Sequence, residues 1–230
     1  MMKTTVLIGI TVLASCLMAG QNAYAGSATF IFDPDAPYLS VDDSPFLGID
    51  DFTLEDFEDG LVNILGVTID GGIIREPSNF TDSVDADDGV IDGSGSEGHS
   101  YWQLEATEGF TITFDEEALG GLPTLVGFVW TDGNIDGLFR LEAFDADGVS
   151  IFEVVLGDLV HTGQTDEDRF IGVEFAGGIA SLFLSTSFGG IEIDHVQYAS
   201  IIPLPAPLAL GLAGLAGVIV VRRKRLLATA

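Results

Sequence analysis

Apolar and polar positions alternate along most of this chain with a period of two. Residues 139–144, Phe-Arg-Leu-Glu-Ala-Phe, place every second side chain on one apolar face, and a second β-rich run at 150–156 follows Asp145-Ala146-Asp147-Gly148. This is the pattern of a hairpin, with Gly148 supplying the positive φ that its turn needs. Comparable runs fall at 28–32, 62–69, 101–105, 110–114, 125–130, 170–175, 179–184 and 191–198, most of them separated by Gly, Asp, Asn, Ser or Pro. Short helical turns are expected only at 54–59 and 116–119. The pattern therefore predicts an all-β domain over residues 26–201, a jelly-roll-like sandwich of two sheets, with no repeat and no internal linker.

Both ends break this pattern. Lys3 precedes an apolar run at 6–17, and Ala23-Tyr24-Ala25 precedes Gly26. A charged start, a short hydrophobic stretch and a small-x-small ending describe a secretory signal peptide, residues 1–25, with Ala23 and Ala25 at the cleavage site. Leu13-Ala14-Ser15-Cys16 offers a second reading, a lipobox in which Cys16 becomes the lipidated first residue. Cys16 is the only cysteine. Cleavage after Ala25 thus leaves an exported protein without disulfides, Cys nucleophiles or thiolate metal sites. At the other end, residues 206–221 carry no charge and Arg222, Arg223, Lys224 and Arg225 follow. The run gives about 24 Å of helix against a hydrocarbon core of ~30 Å, and snorkelling arginines with the apolar residues at 201–204 close the gap. A transmembrane helix with its basic end in the cytoplasm places the domain outside.

Charge sharpens that division. The chain holds 36 Asp and Glu against 8 Lys and Arg, a formal −28, and only Arg75, Arg140 and Arg169 lie between the two ends. A surface of this sign repels phosphate backbones, so nucleic acid is excluded as a partner.

The order Ile202-Pro203-Leu204-Pro205-Ala206, a short Gly/Ala/Leu-rich span and a terminal basic cluster resembles the PEP-CTERM class of sorting signals, in its VPLPA variant, with Ile202 in place of the usual valine and residues 226–230 extending past the cluster. The resemblance covers residues 202–230. It implies an exosortase-type membrane protease as partner, transient anchoring by the helix, cutting near the proline motif, and delivery to the cell surface or the extracellular matrix. Read without it, the tail is a plain membrane anchor.

The middle of the chain resembles jelly-roll carbohydrate-binding modules and galactose-binding-like domains in Asp56-Phe57-Glu58-Asp59-Gly60 and Ile193-Asp194-His195-Val196. That resemblance implies Glu58 and Asp194 as ligands of a structural Ca2+ ion. The alternative is two ordinary solvated carboxylates. Acid-rich loops at 82–89, 132–137 and 145–148 also offer clustered oxygens of the kind a hard cation takes. None has the spacing of an EF-hand, and Asp and Gly favour turns for conformational reasons alone.

No catalytic signature is present. His99, His161 and His195 have no zinc-ligand spacing, there is no nucleophile elbow, P-loop or dinucleotide fingerprint, and Glu116-Glu117 is one carboxylate pair among many. The sequence thus points to a non-enzymatic surface or matrix protein with a structural or adhesive role. Its alternative is a carbohydrate-binding module for a polysaccharide, with Trp102 and Trp130 stacking on sugar rings. Exposed coplanar rings would favour sugar, and buried rings a scaffold.

Overall fold

A computed structural model describes residues 26–133, 137–157, 159 and 163–201. The expected signal peptide with Cys16, Ala23 and Ala25, the expected sorting motif at 202–206 and membrane span at 206–221, the basic cluster at 222–225 and His161 lie outside the described residues. Among the described residues no helix is long and apolar enough to cross a membrane.

The strands are β1 (Thr29–Phe32), β2 (Thr53–Glu55), β3 (Val67–Ile69), β4 (Ile73–Arg75), β5 (Ser100–Gln103), β6 (Phe110–Phe114), β7 (Leu125–Gly133), β8 (Phe139–Phe144), β9 (Ser150–Leu156), β10 (Arg169–Glu174), β11 (Ser181–Thr186) and β12 (Ile191–Ala199). One short helix, α1 (Glu116–Leu119), starts at Asp115, whose side chain accepts from the Ala118 N–H, and ends at Gly120 in the left-handed region. Every strand pairing is antiparallel. One sheet runs β1-β10-β7-β12-β5-β4, with β2 pairing the second half of β12, and the other runs β3-β6-β11-β8-β9. The β8–β9 hairpin turns as its sequence requires: Asp145 Oδ1 accepts from the Asp147 and Val149 N–H groups and Gly148 has φ 73°. The turn expected at 54–59 is different. Leu54 belongs to β2, because its backbone finds partners on β12, and the chain turns only after Glu55.

The two sheets close on one apolar core. Val126, Phe128, Trp130, Ile171, Ile191 and Ile193 from the first meet Phe110, Ile112, Phe139, Leu141, Leu182 and Leu184 from the second. The sheets differ in what covers their other faces. In β8 burial alternates, and Arg140 and Glu142 turn outward. In β12 every residue is buried. Segments 38–52 and 81–99 lie over the outer face of the larger sheet. Tyr38, Phe46 and Val84 form a second cluster there with Leu125, Val129 and Phe170, and Phe170 stacks on Tyr38 and meets Phe46 edge-on.

Phe170 lies flat because Gly127 and Gly172, paired across β7 and β10, carry no side chains beneath it. A Cβ on Gly172 would sit 2.7 Å from the Phe170 ring, and one on Gly127 would also meet it. Gly127→Val should therefore lift Phe170 and loosen the covering segment, at a cost of about 1–3 kcal/mol. Chemical denaturation of the variant against the parent measures this; unchanged stability would show that the outer layer is not seated on these glycines.

Candidate metal centre

The outer face of β12 is where the chemistry collects. By strict alternation, Asp194 faces outward and His195 inward. Register with β7 slips between Asp194 and Gln197, and His195 takes φ 44°, so this bulge turns two consecutive polar side chains to the same side. Asp194, His195 and Asp87 thereby bring one ligand atom each to within 4.8 Å of one another, the one such group of three among the described residues.

Around it runs a hydrogen-bonded network. Asp194 Oδ2 accepts from the Val84 N–H at 2.8 Å and Oδ1 from the His195 N–H at 2.6 Å. His195 Nε2 lies 2.9 Å from Asp87 Oδ1, and its Nδ1 lies 3.2 Å from the Tyr38 hydroxyl. Gln197 donates to that hydroxyl and accepts from Ser44. Burial pushes the Tyr38 hydroxyl up and Asp194 well above the usual carboxylate range, and the neighbouring Asp87 adds to the second effect. Asp87 Oδ2 has no donor facing it.

Glu58 stands beside this group. Its Oε1 accepts from the His99 N–H at 2.5 Å, and its Oε2 lies 3.4 Å from the His99 ring. Gly98 separates it from Asp87, since a Cβ there would lie 3.0 Å from both Glu58 Oε1 and Asp87 Cβ. Half-burial raises the Glu58 pKa, and Asp87 raises it further. Of the two expected ligands, Asp194 belongs to the close group with Asp87 and His195, while Glu58 lies outside that group, near Asp87 across Gly98.

A second acidic group adjoins the first. Glu192, two positions back on β12, accepts from Ser100, from the Asp82 N–H at 3.2 Å and from Arg75 at 3.1 Å. Burial nevertheless lifts it to about 7. Asp82 rises to about 8, through burial and then the charges of Asp132, Glu192 and Glu167. Asp168 is driven well above its ordinary range by burial and then by Asp82. Asp85, equally buried, has donors on its oxygens: they accept from the Asp92 and Gly93 N–H groups and from Thr165, so it staples its loop.

Sequence reasoning placed the 82–89 loop among possible ion sites but read it as a turn; its burial against β12 could not be seen from spacing. Asp168, Thr131 and Glu192 carried no local signal. Of the two tryptophans, Trp130 is corrected. Trp130 is 2% exposed and packs on Phe139, so it offers no face to a sugar. Trp102 is half-buried, with the Arg75 guanidinium 4.0 Å above its ring and the Gly190 backbone against its six-membered ring. Phe80, 83% exposed, is the open aromatic on the rim of a 580 Å3 cleft that Trp102, Asp82 and Asp132 also line.

No protein family and no curated protein matches this chain. Among solved structures it overlaps loosely with the K1 adhesin domain of Lys-gingipain from Porphyromonas gingivalis W83, at 12% identity and TM-score 0.41, covering 66% of this chain and 99% of that one. It overlaps likewise with TmCBM61 in complex with β-1,4-galactotriose, at 13% identity and TM-score 0.30, over 63% and 94%.

The raised carboxylates have a thermodynamic consequence. Asp82, Asp168, Glu192 and Asp194 have folded pKa values above their unfolded ones, so between these values the folded state holds more protons. Stability is then full below about pH 4 for this contribution and falls as pH rises through about 7 for Glu192 and about 8 for Asp82. In chelator, the melting temperature should fall between pH 5 and pH 8 as these buried groups ionise. A melting temperature that rises over that range would contradict the raised values that burial gives them.

Proposed function

We propose that this chain is a non-catalytic, jelly-roll-like domain of an exported protein, delivered by its C-terminal tail to the cell surface or extracellular matrix, where it has a structural or adhesive role. The observation that carries the reading is the buried acidic layer on β12. An oxygen-rich group with an unpartnered carboxylate oxygen suits a hard cation, and extracellular modules operate with calcium Kd of about 10⁻⁴–10⁻³ M, a concentration range met outside cells. Asp87 and Asp194, with Glu58 at their side, would hold that Ca2+ ion, and it would supply the positive charge that the layer lacks. His195 fixes Asp87 from the other side. The ion is structural in this reading, because it ties segment 81–99 and the Glu58 turn to the sheet.

The tail belongs to the same proposal. An exosortase-type protease reads Ile202-Pro203-Leu204-Pro205-Ala206, the apolar span anchors the precursor, and the basic cluster stops it in the membrane. A carbohydrate-binding role is the second reading, favoured by Phe80 on the rim of the cleft with Asn79 and Gln164 nearby to take hydroxyl hydrogen bonds.

Fractionation of producing cells tests the first reading. The surface form should yield peptides from 26–201 and none from 208–221. Pro203→Ala with Pro205→Ala should leave uncut precursor in the membrane, because proline holds the preceding residues extended for a protease to grip. Surface protein that retains the span would reduce the tail to an anchor, and protein confined to the cytoplasm would overturn the proposal. A glycan array probed with the full chain and Phe80→Ala separates the second reading: binding lost in the variant would establish it.

A further inference from the structure

Apart from the Asp87–Asp194–His195 group, the layer holds a second set of buried, unpartnered oxygen atoms. It is built from three elements. Asp168 directly precedes β10, one step beyond the cross-strand pair Arg169–Trp130, which puts it opposite Thr131 of β7. A second bulge of β12 against β7 leaves Thr131 out of the ladder, between Trp130 and Asp132. Asp82 descends from the covering segment, held there by its own N–H on Glu192. Gly95 makes room for it, since a Cβ on that residue would lie 2.5 Å from Asp82 Oδ1.

These three side chains are buried, at 3% exposure for Asp82 and 0% for Asp168 and Thr131. Both carboxylate oxygens of Asp82, both of Asp168 and the Thr131 hydroxyl have no hydrogen-bond partner. Asp82 is the carboxylate that acts most strongly on Asp168. Arg169 acts on Asp168 through its charge but gives these side chains no hydrogen bond, since its donors go to the carbonyl oxygens of Pro34, Asp166 and Asp168. Two ionised carboxylates without donors or a counter-ion are expensive to bury, by several kcal/mol each. Natural folds retain such groups where a ligand completes them.

We propose that Asp82, Asp168 and Thr131 hold a second divalent cation of the calcium class at the floor of the 580 Å3 cleft. The donor set is all oxygen, with no imidazole or thiolate, which suits a hard cation rather than zinc or copper. Two carboxylates balance its charge. Asp82 also lines the cleft, so water reaches the ion from that side and fills the remaining positions that calcium's six to eight ligands require. The ion joins β7, the approach to β10 and the covering segment at one point.

The full chain, stripped with chelator and titrated with Ca2+, tests this by counting ions. The parent should bind two per chain. Asp82→Asn and Asp168→Asn should each weaken one of them by about tenfold or more, as removal of a ligand charge does, and leave the other unchanged. Asp87→Asn should have the complementary effect. Terbium provides a second readout that survives a poorly folding variant at Asp168: Trp102 lines the cleft, so emission sensitised through tryptophan should appear in the parent and fall in Asp82→Asn. A count of one that only Asp87→Asn abolishes overturns the second site while sustaining the first. Unchanged calcium binding in both Asp82→Asn and Asp168→Asn, with higher melting temperatures in chelator and in calcium alike, overturns it as well and makes the two residues a protonated carboxyl pair.

Discussion

A β-strand that is buried on both faces must satisfy its polar side without bulk water, and β12 is such a strand. Its sequence, Ile-Glu-Ile-Asp-His-Val-Gln-Tyr-Ala, alternates as if one face met solvent. Instead, the aromatic anchors Tyr38, Phe46 and Phe170 pull the covering segments onto that face. Once it is covered, every polar group on it needs a donor, a counter-charge or a proton. Glu192 obtains Ser100 and Arg75; Gln197 obtains Ser44 and Tyr38. Asp82, Asp87 and Asp168 are left with unpartnered oxygens. The two bulges follow from the same requirement, because each turns an additional polar residue, Asp132 or His195, toward the layer.

The architecture was legible where a strand is long enough to show its alternation, as in β12, expected at 191–198 and found at Ile191–Ala199 although both its faces are covered. Strands β6, β8 and β9 lie at the expected residues, as does α1, because alternation and capping are local signals. Strands β2 and β4 were not seen, since three residues hold no period and their pairing with β12 and β5 is decided by tertiary contact. The shortening of 62–69 to β3 has a similar cause: only Val67–Ile69 finds a partner on β6.

The site was legible only in part, and for a physical reason. The resemblance of short motifs pointed to Glu58 and Asp194, and the structure gathers Asp194 with Asp87 and His195 while Glu58 stays outside that group. Nothing in spacing shows that Asp194 is fully buried, because a solvated and a buried carboxylate occupy the same alternating position. The expectation for Trp130 failed by the same ambiguity, since that residue, at an inward position of β7, is core. A chain of −28 further hides its own site: when acid is everywhere, only burial separates a ligand from a solvated charge.

The central claim is that divalent cations hold the covering segment to the sheet, and amide hydrogen exchange of the full chain, with calcium and with chelator at equal ionic strength, measures it most directly. The account predicts that residues 81–99 exchange slowly in calcium and much faster in chelator, while β6 and β11 in the opposite sheet exchange alike in both. Equal protection of 81–99 under the two conditions would contradict it, since the acidic layer would then be closed by the protein alone.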